Sequence, residues 1–363
     1  MDEQYTPIIS EEERLARRQQ RAEARRKKQA ERRRRQLRQL LPAAVLGVTM
    51  VVLLSAWCLR QKPEALPEPE TPPPAPTEAI VPEPLSETQT VFSAGPTPAT
   101  VQLGDSVDSS YAILIDEASG AILAEKAADT VISPASMTKV LTLLVAAEHV
   151  TDLDDTFTIT IDITDYCFVN KCSVVGLMVG ETVSIRELLY GTILSSGADA
   201  ALGLATYVAG SHEAFVALMN DKLRELGLDD TAHFTNCVGL YDEDHYCTVY
   251  DMAIIMQAAM ENELCREVLN ARTYETAPTS DHPDGQILSN WFLRRIEDRF
   301  TGSFQVVGAK TGYVVQAGSC AVSCGQDGAG KRYLCVTGDA SSSRQAIYDH
   351  TNLYRTYCGG AEA

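Results

Sequence analysis

Leu40 to Leu59 is a run of twenty residues without a charged side chain. It divides the chain into parts that cannot share one globule. A helix of this length, rising 1.5 Å per residue, matches a hydrocarbon core of about 30 Å. Residues 1–62 carry 15 Lys/Arg against 7 Asp/Glu, whereas the remainder carries 16 against 42. The block Arg32-Arg33-Arg34-Arg35 lies just before the apolar run. Basic clusters beside a membrane segment stay on the cytoplasmic side. The pattern therefore predicts a single-pass signal anchor over 40–59 in the cell membrane, with residues 1–39 in the cytoplasm and everything after it outside. A cleaved signal peptide is the competing reading, but the basic segment is long for one and no clear small-residue cleavage site follows. The arginine run has no interleaved aromatic residues to stack on bases, so no nucleic-acid partner is expected.

Residues 60–100 read as a linker. Eleven of the chain's 16 prolines fall in 63–100, among Glu, Thr and Ala, a composition that favours extended conformations and cannot bury a core. That leaves 101–363 as the folded domain. Within it, Tyr111–Asp116 and Ala121–Glu125 flank a turn at Ala118-Ser119-Gly120 and predict a hairpin. Met137 to Val150 has helical spacing of apolar residues. Further helices are predicted from Ser184, from Asp199 and over 211–226, 248–261 and 344–357. Three strands follow, at Phe304–Thr311, Ser319–Gly325 and Arg332–Gly338. Two strands early, helices between and three strands late predict an α+β domain with one antiparallel sheet assembled from both chain ends.

Nine cysteines lie in this outer part, where an oxidising exterior permits disulfides. The nearest neighbours in sequence are Cys167/Cys172, Cys237/Cys247 and Cys324/Cys335, the last across a predicted hairpin. Buried free thiols are the alternative. There is no Cys-x-x-Cys and no His-Glu-x-x-His, so neither a metal site nor a cofactor is expected.

Three short words stand in order: Ser136-Met137-Thr138-Lys139, Ser196-Gly197-Ala198 and Lys310-Thr311-Gly312. Ser136 falls at a predicted helix N-terminus with Lys139 three residues on, and positions i and i+3 share a helix face. Ser196 falls in the turn between two helices, and Lys310 on a late strand. A serine hydroxyl is a weak nucleophile until a base takes its proton. Lysine is that base only if desolvation or a second cation lowers its pKa, and Lys310 is the expected second cation. Two N–H donors are needed for a developing oxyanion; the helix N-terminus at Ser136 and the backbone of Tyr313 are the candidates. Arg344, after the last strand, is a candidate for a substrate carboxylate, with a plain surface arginine as the equal alternative. His245 and Asp251 read as structural loop partners.

These words resemble the serine-type D-alanyl-D-alanine carboxypeptidases, the low-molecular-mass penicillin-binding proteins of peptidase family S11. The resemblance extends to Ser133–Lys139, Leu188–Ala200, Asn236–Leu240 with His245-Tyr246 and Tyr250-Asp251, and Gly308–Tyr313, and it covers about 105–357. It implies a β-lactamase/transpeptidase-like fold with a helical subdomain and a stem-peptide substrate from peptidoglycan. It also implies an acyl-enzyme on Ser136, Lys139 as general base, Ser196 as proton relay with Lys139, and Lys310, Thr311, Gly312 and Tyr313 at the substrate. β-Lactams would acylate the same serine. The third residue of the middle word departs from the family's usual Ser-Gly-Asn: Ala198 offers no amide to orient Lys139. That departure motivates an alternative, a weakly catalytic stem-peptide-binding protein with a sensing or scaffolding role. No Glu-x-x-x-Asn segment suited to a β-lactamase's hydrolytic water is evident between Ala198 and Lys310.

Overall fold

The computed structural model describes residues 92–300 and 303–358. The arginine block, the run Leu40–Leu59 and most of the proline-rich segment lie outside them. Among the described residues no helix is long and apolar enough to cross a membrane.

Ten strands are present: β1 (Gly95–Gln102), β2 (Tyr111–Asp116), β3 (Ala121–Lys126), β4 (Thr156–Thr158), β5 (Thr182–Ser184), β6 (Thr273–Glu275), β7 (Ile287–Ser289), β8 (Gln305–Val314), β9 (Gly318–Gln326) and β10 (Arg332–Ala340). Six form one sheet in the order β1-β3-β2-β10-β9-β8, while β4/β5 and β6/β7 are short separate ribbons. The sheet joins both chain ends through the antiparallel β2/β10 pair, where Leu114 faces Cys335. β1 was not foreseen. It pairs parallel with β3 from Gly95 onward, so the ordered domain begins inside the segment assigned to the linker rather than at residue 101. With Pro96 and Pro98 in its sequence, β1 occupies the sheet edge, where proline is tolerated.

The nine helices described are α1 (Lys139–His149), α2 (Ile161–Val169), α3 (Ile185–Leu194), α4 (Ala198–Ala209), α5 (His212–Glu225), α6 (Val249–Glu261), α7 (Glu263–Asn270), α8 (Trp291–Ile296) and α9 (Ser343–Tyr357). Side chains alternate across the strands, as a pleated backbone requires. Ile113, Ile115, Val322, Leu334 and Val336 enter the core shared with α1 and α3–α7. Ala112, Leu114, Ala321, Tyr333 and Cys335 enter a second core beneath α8 and α9. The same alternation separates Cys324 from Cys335: they lie on opposite faces of the sheet, and no disulfide joins them.

Local chemistry sets the helix starts. Ser184 and Glu187 form a reciprocal capping box at α3, and Thr248 and Asp251 form another at α6. Asp251 is thus a structural partner, as expected. On α9, buried Asp349 accepts hydrogen bonds from the Ser109 amide and hydroxyl (2.8 and 2.6 Å) and ties the approach to β2 to the last helix.

Candidate active site

Ser136 sits in a one-turn 3-10 helix, Ala135–Thr138, that runs directly into α1 at Lys139. The turn is strained, because Ala135 has φ +48°, a region that costs a non-glycine residue of order 1–3 kcal/mol. Two contacts hold it. The Thr138 hydroxyl donates to the Ala135 carbonyl at 2.8 Å and lies 2.8 Å from His245 Nε2. His245 Nδ1 accepts from the Thr235 amide at 3.0 Å, which assigns the imidazole proton to Nε2. Burial pushes this histidine down to about 3, so it stays neutral and serves as a brace.

Lys139 Nζ donates to Ser136 Oγ at 3.2 Å and to the Val238 carbonyl at 2.6 Å. The residue is only 2% exposed, and that desolvation lowers its pKa to about 8. Lys310 Nζ arrives from β8 and donates to Ser196 Oγ at 2.9 Å and to the Thr311 carbonyl at 2.7 Å. Burial, and secondarily the charge of Lys139, pulls Lys310 well below its ordinary value. The division of labour differs from the sequence reading. Burial is the largest cause of the lowered Lys139 pKa. Ser196 is bonded to Lys310 rather than to Lys139. Ser196 itself has φ +54°, which turns its hydroxyl to the lysine from the short connection between α3 and α4.

β8 is an outer strand of the sheet, so among the described residues its outer backbone edge has no strand partner. At Gly312 the strand packs against the nucleophile turn: a Cβ there would stand 2.9 Å from the Ser136 amide nitrogen and 3.0 Å from the Ala135 Cβ and the Pro134 carbonyl oxygen. Glycine is required for the strand to approach this closely. The Ser136 amide, in the first turn of its helix, has no intrahelical acceptor. Tyr313, next along the edge, is 62% exposed. Ser136, Lys139, Ser196, Lys310 and Gly312 are thereby joined in one chain of contacts, with Thr311 and Tyr313 beside them. Arg344 is not in that chain. It lies exposed in the first turn of α9, where Ser343 Oγ is 3.5 Å from Ser319 Oγ and Ser319 pairs with Tyr313 across the sheet. It shares the sheet end without joining the lysine–serine cluster.

Two positioning side chains were not foreseen, those of Asn236 and Asp199. Asn236 Oδ1 accepts from the amides of Val238, Gly239 and Leu240 (3.2, 2.7 and 3.0 Å), and its Nδ2 donates to the Leu240 carbonyl. The loop so closed presents the Val238 carbonyl to Lys139. Asp199, 2% exposed, accepts from the amides of Val175, Gly176 and Leu177. The Ala198 amide donates to the Ser173 carbonyl at 2.8 Å. Segment 173–177 therefore clamps the turn that carries Ser196. Among the described residues no group of His, Cys, Asp and Glu is arranged to hold a metal ion.

The family model for peptidase S11, described as D-alanyl-D-alanine carboxypeptidase, matches residues 97–342. The D-alanyl-D-alanine carboxypeptidase DacF of Bacillus subtilis strain 168 is 31% identical over 234 residues, which are 64% of this chain and 58% of that protein's length; the chain thus spans little more than half of that relative. The D-alanyl-D-alanine carboxypeptidase of Streptomyces sp. strain K15 is 32% identical over 235 residues, 63% of this chain and 80% of the relative. Among solved structures, the Streptomyces K15 DD-transpeptidase superposes with a TM-score of 0.63 at 29% identity, covering 70% of this chain and 98% of that one. A D-alanyl-D-alanine carboxypeptidase from Mycobacterium tuberculosis H37Rv gives 0.62 at 26% identity, covering 75% and 97%.

Proposed function

Since the chain belongs to the peptidase S11 family of D-alanyl-D-alanine carboxypeptidases, we propose that it is a serine D,D-carboxypeptidase removing the terminal D-Ala from peptidoglycan stem pentapeptides in cell-wall maturation. The observation that carries this reading is the pairing of Ser136 Oγ with a buried lysine amine at 3.2 Å, at a pKa of about 8. Neutral Lys139 takes the Ser136 proton as Oγ attacks the carbonyl carbon of the penultimate D-Ala. The carbonyl oxygen becomes an oxyanion facing the Ser136 and Tyr313 amides. The departing D-Ala nitrogen is protonated through Ser196, whose hydroxyl is held by Lys310. Water then attacks the ester on Ser136, with Lys139 again taking a proton, and the shortened peptide leaves. The open edge of β8 suits an extended peptide laid beside it, with Lys310 and Thr311 near its terminal carboxylate. β-Lactams enter as covalent inhibitors that acylate Ser136.

Support for placing this domain outside the cell is the uncharged run Leu40–Leu59 behind the arginine block, which makes a single helical anchor with a cytoplasmic N-terminus. Ala198 favours a second reading, a slow enzyme that chiefly binds stem peptides. Mass spectrometry tests both. A penicillin adduct on Ser136 with D-Ala release from a stem pentapeptide supports the carboxypeptidase. An adduct without release supports the binder, and no adduct overturns both. Protease accessibility in intact cells tests the topology: a protected folded domain refutes the anchor orientation.

A further inference from the structure

The C-terminus of α2 closes with two backbone bonds. The Lys171 amide donates to the Phe168 carbonyl at 3.3 Å and the Cys172 amide to the Cys167 carbonyl at 3.0 Å. Lys171 between them has φ +54°. This is the Schellman arrangement, in which the residues joined by the longer-range bond usually also make an apolar side-chain contact. Here both of those residues are cysteines. The 3.0 Å bond keeps their Cα atoms within about 7 Å, close to the range of roughly 4.4–6.8 Å that a disulfide spans. Cys167 is buried, whereas Cys172 is partly open to solvent.

The geometry points to Cys167 and Cys172 as a thiol–disulfide site whose closure staples the end of α2 and, through the adjoining Ser173, fixes the turn that carries Ser196. The mechanical link is on the backbone. Ser173 follows Cys172 directly and accepts from the Ala198 amide. Val175, two residues on, packs so tightly against the turn that a Cβ on Gly197 would stand 2.6 Å from its Cγ2. Cys172 is the entry point for oxidation: it is the partly exposed thiol of the pair, and the Cys167 thiol beside it, with the Lys139 charge, holds it below its ordinary value against burial. In exchange with a glutathione disulfide, Cys172 loses its proton and its thiolate attacks one glutathione sulfur, releasing the other glutathione as a thiolate. The Cys167 sulfur, giving up its proton, then displaces the second glutathione. Two protein thiols are oxidised, one glutathione disulfide is reduced, and the two protons end on the two glutathione thiols.

The test equilibrates the full-length protein in oxidising or reducing glutathione buffer, quenches with acid, alkylates and digests with trypsin. Cleavage after Lys139, Lys171 and Arg186 puts the two cysteines in different peptides, 140–171 and 172–186. The expected result in oxidising buffer is these two peptides linked, or the uncut 140–186 peptide lighter by two hydrogens, lost on reduction and lost in Cys172→Ser. Both cysteines staying alkylatable, or a link from either to peptide 225–266, overturns the site. A second arm, which rests on the proposed function, times penicillin labelling of Ser136. Labelling is expected to differ about two- to tenfold between the two buffers, and not at all in a Cys167→Ala/Cys172→Ala protein. A linked pair with equal labelling rates overturns the coupling to Ser196. A linked pair without labelling in either buffer sinks the enzymatic reading and leaves the disulfide standing.

Discussion

Titrating Lys139 is the sharpest probe of the site. Attack by Ser136 requires the neutral amine, and burial places the pKa of Lys139 at about 8. The neutral fraction is then about 1% at pH 6, 9% at pH 7 and 50% at pH 8. The second-order rate constant for acylation by a penicillin that does not itself titrate in this range should rise roughly fiftyfold from pH 6 to pH 8 and less than about twofold above that. Lysine at its ordinary value would still gain about eightfold between pH 9 and pH 10. The assay is stopped-time labelling with a fluorescent penicillin, with the adduct assigned to Ser136 by mass. A flat profile between pH 6 and 9 would refute lysine as the base. A slope persisting through pH 10 would refute desolvation as the means of activating it.

The buried amine also has a cost in folding. Its folded pKa lies below the unfolded value, so stability rises with pH between about 8 and 10.5 and the penalty is full below that window. Lys139→Met should therefore abolish labelling yet stabilise the fold by about 1–3 kcal/mol in urea unfolding at pH 7; a destabilised variant would count against the desolvation argument. Asn236→Ala removes the acceptor for three amides and should lower stability by about 2–4 kcal/mol, with labelling slowed at least tenfold among molecules that remain folded; Asn236→Asp, keeping the acceptor, should recover most of the rate. Gly312→Ala sets a methyl group against the Ser136 turn, so circular dichroism should stay native while labelling is lost, and unchanged labelling would contradict the close approach. Burial holds His245 and His350 near 3. The unfolded chain takes up these protons first, so stability should fall as pH drops from about 6.5 to 3, by up to about 4–5 kcal/mol for each histidine; an unfolding midpoint constant from pH 7 to 4 would refute this.

The elements with strong periodicity were legible from residues alone. The early hairpin, α1, α4, α5, α6, α9 and the three late strands all lie where their patterns place them, to within a few residues. β1 was hidden because its pairing is long-range and its sequence, GPTPATVQ, looks like linker. The two three-residue ribbons are too short to carry a period. At the site, the words marked Ser136, Lys139, Ser196 and Lys310, since side-chain chemistry has a sequence signature. The pairing of Ser136 with Lys139 followed from their spacing, whereas those of Ser196 with Lys310 and of Lys139 with the Val238 carbonyl were not visible. A backbone carbonyl such as that of Val238 looks the same at every position, and only the fold reveals that it faces Lys139. The hydrogen bond between Ser196 and Lys310 was hidden for a related reason: which amine the hydroxyl meets depends on a left-handed backbone angle. Asn236 did leave a trace, since asparagine closing a loop on its own following amides is a recurrent local motif.

The seam between β2 and β10 has a consequence for biogenesis. The nucleophile is made early and Lys310, which holds Ser196, late, and β10, emerging after both, must slot between β2 and β9 before the sheet is continuous. Contacts so distant in sequence form slowly. While the polypeptide is still being delivered, Ser136 has no edge strand beside it and no second amine opposite. Activity should thus switch on only after nearly the whole chain has arrived, so a stalled or clipped intermediate would be inert.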